Sequence, residues 1–257
     1  MKSYPITISI ALALMPATVY AAPTLNVQVE GAVARPSGLQ LPADARISTA
    51  ALAAKPTKDA YMLGAALLRN DARREQMRLK AGLMFELDST ATTVEPTTAA
   101  TTIRMRESFD RMPVTGRVPQ MLEPRSLEAS RSQDRPALDG DRLIYPTRPA
   151  TVTVVGAVVA ECKLPHVPGK SLRAYIRQCP TISAASREHL FVVQPDGAIE
   201  KAGIALWNRS AETALAPGAV IYAPLAETIL SKGSSELNED AVRFLATQVL
   251  DAPGVLL

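Results

Sequence analysis

Val152-Thr153-Val154-Val155-Gly156-Ala157-Val158 decides the reading of this chain. It opens by alternating apolar and polar residues, is rich in β-branched side chains and meets a glycine where a strand would bend, so it is read as a strand. It also occurs twice. Near the start the chain reads Val27-Gln28-Val29-Glu30-Gly31-Ala32-Val33. From there the two copies run in parallel. Leu39–Pro42 answers Leu164–Pro168 with one residue inserted, and a helical stretch follows each. Later Leu138–Pro146 answers Leu215–Pro224, each a glycine turn running into a strand that contains Ile-Tyr. A two-fold internal repeat implies two copies of one small domain.

The second copy is the more compact. Strands are expected at about 151–159, 163–166, 190–194, 199–201 and 219–222, with one helix at about 171–177. Pro195-Asp196-Gly197 is a turn in which proline presets φ and glycine takes the positive value. Two strands, one helix and further strands of one sheet are the order of a β-grasp domain. The fold class is therefore α+β: two tandem β-grasp (ubiquitin-like) domains.

In the first copy the expected helix at Ile47–Ala54 is followed not by a strand but by Pro56 and a long tract of helix formers, Lys58 to about Asp88. Met62, Ala65, Ala66 and Arg69, then Met77, Lys80, Ala81 and Met84, mark a stripe at helical spacing. Asn70-Asp71 is a possible break. The Thr/Ala-rich run Ser89–Thr102 reads as a loop, and Thr102 as the cap of a further helix, Ile103–Met112, stopped by Pro113. Leu122-Glu123-Pro124 is aligned with Val193-Gln194-Pro195. At the other end Leu237, Ala241, Phe244, Leu245 and Val249 share one helix face, with Ser235 as a cap and Pro253-Gly254 as the stop. That helix packs on the body or docks a partner. The division that results is 1–21 signal peptide, 22–55 and 114–149 first β-grasp domain, 56–113 helical insertion, 150–226 second β-grasp domain, and 235–251 C-terminal amphipathic helix.

The leader reading rests on Lys2, the apolar run Ile6–Pro16 and the small residues before a cut after Ala21. The mature chain is expected to be exported, in the periplasm of a bacterium, with no transmembrane segment. The formal charge of +3, with both signs interspersed, speaks against a nucleic-acid partner. In an oxidising compartment Cys162 and Cys179 form a disulfide as readily as they remain two buried thiols.

Catalytic patterns are scarce, and no cofactor or metal is expected. His166 and His189 carry no triad or zinc-motif spacing, and the carboxylates form no recognisable acid/base pair. Asp139 and Asp141 flank a turn glycine. Arg69, Arg73, Arg74, Arg78 and Lys80 read as a solvated helix face before a binding patch. Trp207 reads as closing a small core, with stacking on a sugar as the alternative. The residues singled out are Thr115, Gly116 and Arg117, where the insertion rejoins the first domain. A guanidinium at such a seam grips a carboxylate such as a uronic acid, or clamps the two units by a salt bridge or backbone hydrogen bonds.

Taken together, the leader, the paired Val-x-Val-x-Gly-Ala-Val openings, the helical insertion followed by Thr-Gly-Arg, Asp-Gly-Asp-x-Leu-x-x-Pro-x-Arg-Pro between the copies, the late Trp-Asn and the closing Leu-Asn-x-x-x-x-x-Leu resemble the GfcC family of capsule biosynthesis proteins. The repeats are also similar to the soluble-ligand-binding β-grasp (SLBB) domains of Wza-type polysaccharide export channels. The resemblance implies a periplasmic, non-enzymatic accessory protein of capsule or exopolysaccharide assembly or export. Its partners would be the polysaccharide and/or the outer-membrane export channel, and Arg117 would face a cleft by the first domain. The cysteine pair lies outside the pattern. A polysaccharide-modifying enzyme built around Arg117 and a purely structural protein–protein adaptor are the alternatives.

Overall fold

The computed structural model describes residues 23–208, 213–230 and 236–250. The expected leader, the Ser235 cap and the Pro253-Gly254 stop lie outside these residues.

The first sheet is formed by β1 (Thr24–Gly31), β2 (Ser37–Pro42), β3 (Ala66–Leu68), β4 (Arg117–Val118) and β5 (Arg142–Tyr145). The second is formed by β6 (Thr151–Gly156), β7 (Cys162–Pro165), β8 (His189–Val193), β9 (Ile199–Gly203) and β10 (Val220–Ala223). Their strand orders are β2-β1-β5-β3-β4 and β7-β6-β10-β8-β9, the same topology twice. In each sheet the first and last strands run parallel at the centre and every other pairing is antiparallel. One helix crosses each sheet after the first hairpin, α1 (Ile47–Ala54) in the first and α5 (Leu172–Ile176) in the second. The chain is thus an α+β protein of two tandem domains with the β-grasp order of elements.

The repeated Gly-Ala-Val has one physical cause. At Gly31 φ is +89°, and an added Cβ would lie 2.1 Å from the Tyr145 carbonyl oxygen; at Gly156 the values are +98° and 2.3 Å from Ala223 O. The next residue then donates its N–H to that same carbonyl, Ala32 at 2.6 Å and Ala157 at 2.8 Å. Only glycine lets the two central strands close in this way.

The register overturns three parts of the sequence reading. First, the tract expected to begin the helical insertion holds a strand. Ala66, Leu67 and Leu68 pair with Ile144, Leu143 and Arg142, as Phe191, Val192 and Val193 pair with Tyr222, Ile221 and Val220. Val193 therefore corresponds to Leu68, and Leu122-Glu123-Pro124 instead opens α4 (Pro124–Ala129), where the Glu123 carboxylate accepts from the N–H groups of Arg125 and Ser126. The Ala-Leu-Leu run has strong helix formers, but sheet pairing overrides that weak preference. Second, residues 69–116 stand where the second domain has only the turn at 194–198, so the insertion occupies the hairpin between the last two strands in the sheet order. Third, the two Ile-Tyr pairs are offset by one residue: Ile144 takes the place of Tyr222. One residue along a strand is the opposite face.

The insertion is an antiparallel pair, α2 (Ala72–Thr93) and α3 (Pro96–Arg111). The stretch expected as a loop at Ser89–Thr102 is almost wholly helical. Its threonines do not leave the helix because their hydroxyls bond back into it: Thr92 to Ser89 O, Thr93 to Thr90 O, Thr101 to Thr97 O and Thr102 to Thr98 O. Thr102 is buried mid-helix rather than a cap.

Three main cores result. α1 and α4 cover one face of the first sheet, with Ile47, Ala50 and Leu127 against Val27, Val29, Leu67, Leu143 and Tyr145. α5 covers the corresponding face of the second, with Leu172 and Tyr175 against Val152, Val154, Val192 and Ile221. The third core lies on the other face of the second sheet. There α2, α3 and α6 (Leu237–Ala246) bring Leu83, Leu87, Phe109, Phe244 and Leu245 against Val155, Phe191, Val193 and Tyr222. The C-terminal helix is thus packed on the body. Asn238 fixes its register: its Oδ1 accepts from Tyr222 Oη and Leu225 N, both at 3.1 Å, and its Nδ2 donates to Leu225 O at 2.9 Å.

Candidate functional site

Thr115, Gly116 and Arg117 lie together where three segments meet: the end of the insertion, the β8–β9 turn, and the chain leaving α6. Gly116 has φ +80°, and an added Cβ would lie 2.4 Å from Arg69 O. Gln76, on α2, holds the Gly116–Arg117 segment from both sides. Its Oε1 accepts from Gly116 N at 2.7 Å and its Nε2 donates to Arg117 O at 2.8 Å. Thr115 Oγ1 donates to Thr247 O at 2.6 Å and accepts from Arg117 N at 3.0 Å. The Arg117 guanidinium donates through Nη1 to Gln248 O at 2.7 Å and through Nη2 to Pro195 O at 2.5 Å. The residue is 7% exposed. Burial pulls its pKa down to about 10, with Asp196 acting in the opposite direction. Of the roles read from sequence, this geometry is the backbone clamp: it ties the first domain to the second and to the C-terminal segment. Gln76 carried no signal in the sequence, standing as one polar residue in a charged helix.

Beside the clamp is a cleft of about 670 Å3 on the face of the first sheet opposite α1. Its lining includes Leu68, Ile144, Val249 and Leu250, with Pro113 and Val114 from the end of the insertion. Leu68 and Val249 belong to a small apolar cluster with Ala66, against which Ile144 packs. The polar lining includes Thr115, Glu30, Arg142 and Arg73. Arg142 is paired with Glu30, Nε and Nη2 lying 3.0 and 2.8 Å from Oε1. Arg73, at the start of α2, is exposed and forms no ion pair among the described residues. The cations of this cleft are thus Arg73 and Arg142 rather than Arg117.

The basic run of the insertion is divided among different tasks. Arg69, half-buried, pairs with the buried Asp141, Nε–Oδ1 3.0 Å and Nη2–Oδ2 3.1 Å, so that both residues are structural. Lys80 Nζ donates to Asp110 O and Met112 O, each at 2.7 Å, and closes the helical hairpin. Arg74 and Arg78 face solvent.

The remaining sequence candidates are dispersed. His166 Nε2 lies 2.9 Å from Leu215 O, and His189 is buried on the edge of the Phe191 ring. Trp207 closes no core: it is 76% exposed, beside an exposed Leu206. Asn208 anchors that loop by donating through Nδ2 to Glu188 O. Cys162 and Cys179 are joined by a disulfide with their Cα atoms 6.0 Å apart, linking the start of β7 to the end of α5.

Residues 160–250, from the β6–β7 turn through α6, match the family described as capsule biosynthesis GfcC C-terminal. Over that part the chain is similar to the GfcC family. It is also 28% identical over 187 residues to the Escherichia coli (strain K12) protein described as uncharacterized protein YjbG, an alignment spanning 72% of this chain and 76% of that one. The GfcC match contains α6 and Asn238 together with the Pro195 carbonyl that Arg117 holds. Among the described residues no helix is long and apolar enough to cross a membrane.

Proposed function

We propose that the chain is a periplasmic, non-enzymatic accessory protein of capsule or exopolysaccharide assembly or export, and that it engages the polymer at the cleft on the first sheet. One observation carries the reading. The face that α2, α3 and α6 cover in the second domain is left as a cleft in the first, with Arg73 and the Arg142–Glu30 pair in its lining. The similarity of residues 160–250 to the capsule biosynthesis GfcC C-terminal family supports the capsule context, and the Arg117 clamp supports a pre-formed site, since it fixes Thr115 at the cleft wall. Engagement of the export channel belongs to the same reading.

The test is an NMR titration of the mature protein with oligosaccharides from its own organism's surface polymer, beside the Arg73→Gln variant. Saturable shifts at cleft residues, weakened roughly tenfold in the variant, are expected for a charge-assisted contact. An unchanged spectrum at millimolar ligand would sink glycan binding and leave the adaptor reading. Shortening of the polymer on incubation with the protein would make it an enzyme instead.

A further inference from the structure

The composition of the cleft lining bears on which part of a ligand enters it. Among the described residues that line it none is aromatic, and its apolar lining includes Pro113, Val114, Ile144, Pro146 and Leu250, backed by the buried Leu68 and Val249. A sugar ring laid on such a surface would bury hydroxyls without hydrogen-bond partners, which is costly. An alkyl chain has no such cost and gains free energy with every methylene removed from water. The volume, about 670 Å3, lies within the range of roughly 300–1,000 Å3 typical of small-ligand sites.

The charge is equally specific. Arg142 shares its guanidinium with Glu30, while Arg73 has no ion-pair partner among the described residues. Two guanidinium groups against one carboxylate leave a net single positive charge at the cleft. A phosphate monoester suits this better than a carboxylate. Its additional acceptor oxygen lets it take Arg73 while also sharing Arg142 with Glu30.

We infer that the cleft binds the lipid end of an amphiphile, an unbranched alkyl chain carrying a phosphate head, with the chain on the apolar lining around Ile144 and Leu250 and the phosphate at Arg73. The inference rests on the proposed function in placing the ligand at this cleft. It specifies that the part recognised is a phosphate-terminated alkyl chain rather than the sugars of a glycan.

The experiment is isothermal titration calorimetry of the mature protein with octyl phosphate, decyl phosphate, decanoate and octyl glucoside, each below its micelle-forming concentration. Decyl phosphate is expected to bind about tenfold tighter than octyl phosphate, the gain for two further buried methylenes. Arg73→Gln, an exposed substitution, is expected to weaken both alkyl phosphates about tenfold and to leave octyl glucoside unchanged. Ile144→Gln is expected to flatten the chain-length dependence while leaving the effect of Arg73→Gln in place. Octyl glucoside binding as tightly as octyl phosphate would overturn the role of charge, and decanoate matching decyl phosphate would overturn the phosphate head. If no alkyl phosphate binds while surface-polymer oligosaccharides still shift the cleft resonances, this inference fails and the proposed function stands. If neither binds, both fail.

Discussion

The two sheets share strand order, pairing senses and the Gly-Ala-Val turn, yet one of them is a two-sided core and the other is not. In β10 every residue is buried, and so is every residue of β8; in β5 burial alternates along the strand. A half-covered sheet reads as alternation and a fully covered one as a continuous apolar run. The difference is written in the sequence as Val220-Ile221-Tyr222-Ala223 against Arg142-Leu143-Ile144-Tyr145. The cover for the second sheet comes largely from elsewhere: α2 and α3 belong by chain position to the first domain, and α6 to neither. The first domain thus gives its insertion to its neighbour and keeps an open face of its own, which is where the cleft lies. The copies have diverged by function of face rather than by topology.

The largest effect should come from Tyr222, which is fully buried beneath α6 and bonded to Asn238. Tyr222→Ala is expected to cost about 3–5 kcal/mol, the range for deleting a buried aromatic. The same truncation at its structural equivalent, Ile144→Ala, is expected to cost about 1 kcal/mol, because Ile144 is only partly buried at the cleft. Urea denaturation of the two variants decides the matter. Equal losses would mean that the two faces are equally closed and that the comparison is wrong.

Arg117 comes next, because it joins the two sheets. Arg117→Ala removes two charge-assisted hydrogen bonds and leaves the Pro195 and Gln248 carbonyls without this donor, a loss of about 3 kcal/mol. Arg117→Lys keeps the charge but not the planar fork, so about half of that loss should remain. Calorimetry should show the single unfolding transition of the parent broadening or splitting in Arg117→Ala as the domains uncouple. A variant as stable and as cooperative as the parent would show that the clamp is not what joins them.

Much of this fold is legible in the sequence, and the failures share a cause. The strands of the second copy, both hairpins, α1 and the inward face of α6 follow from periodicity and turn chemistry, which are local. β3 does not, because Ala66-Leu67-Leu68 is a strand only by virtue of its partners on either side. The helical run through Ser89–Thr102 was hidden because its threonines satisfy their hydroxyls within the helix. At the site, sequence singled out Thr115-Gly116-Arg117 as a seam, and they are one. It did not show that the guanidinium points into protein while Arg73, one of several similar arginines, lines the cleft. Which residue of a basic cluster faces a cavity depends on helix rotation against a distant sheet, and the cluster itself carries no mark of it.

The disulfide sharpens the comparison, since only one copy has it. In both domains the residue after Gly-Ala bridges to the segment following the crossing helix, Val33 to Pro56 and Val158 to Thr181. Only the second adds a covalent link there. For a loop of its length, a separation of 17, closure is worth about 3 kcal/mol in the unfolded chain. Native-state strain usually reduces that figure, which places it below Arg117. Reduction, or a Cys162→Ser/Cys179→Ala pair, is expected to lower stability by about 2 kcal/mol and to speed amide exchange in β7 and α5 while leaving β2 and α1 unchanged. Loss of protection in the first domain as well would mean that the link serves the whole body.

The smallest effect tests how the insertion holds the second sheet. Glu86 on α2 faces the start of α6, and its Oε2 is buried with no hydrogen-bond partner. Burial raises its pKa, and the carboxylates of Asp240 and Glu236 raise it further. Burial also raises that of Asp240, opposed by Arg243, its ion-pair partner at 3.0 Å, and reinforced by Glu236 and Glu239. A carboxyl whose folded pKa lies above its unfolded value contributes stability that is fully present below the unfolded value and lost as pH rises through the folded one. The α2–α6 contact should therefore tighten on acidification from neutral pH, before general acid unfolding sets in. Glu86→Gln removes the charge at every pH. With solvent screening at this part-exposed site, it should raise the neutral-pH stability by only about 0.5 kcal/mol, or roughly 1–2 °C in Tm. That gain should shrink toward zero as the pH approaches the ordinary glutamate range, and thermal unfolding of both proteins across this interval measures it. A gain that persists unchanged at acid pH would trace the effect to packing, and the repulsion between insertion and terminal helix would have to be abandoned.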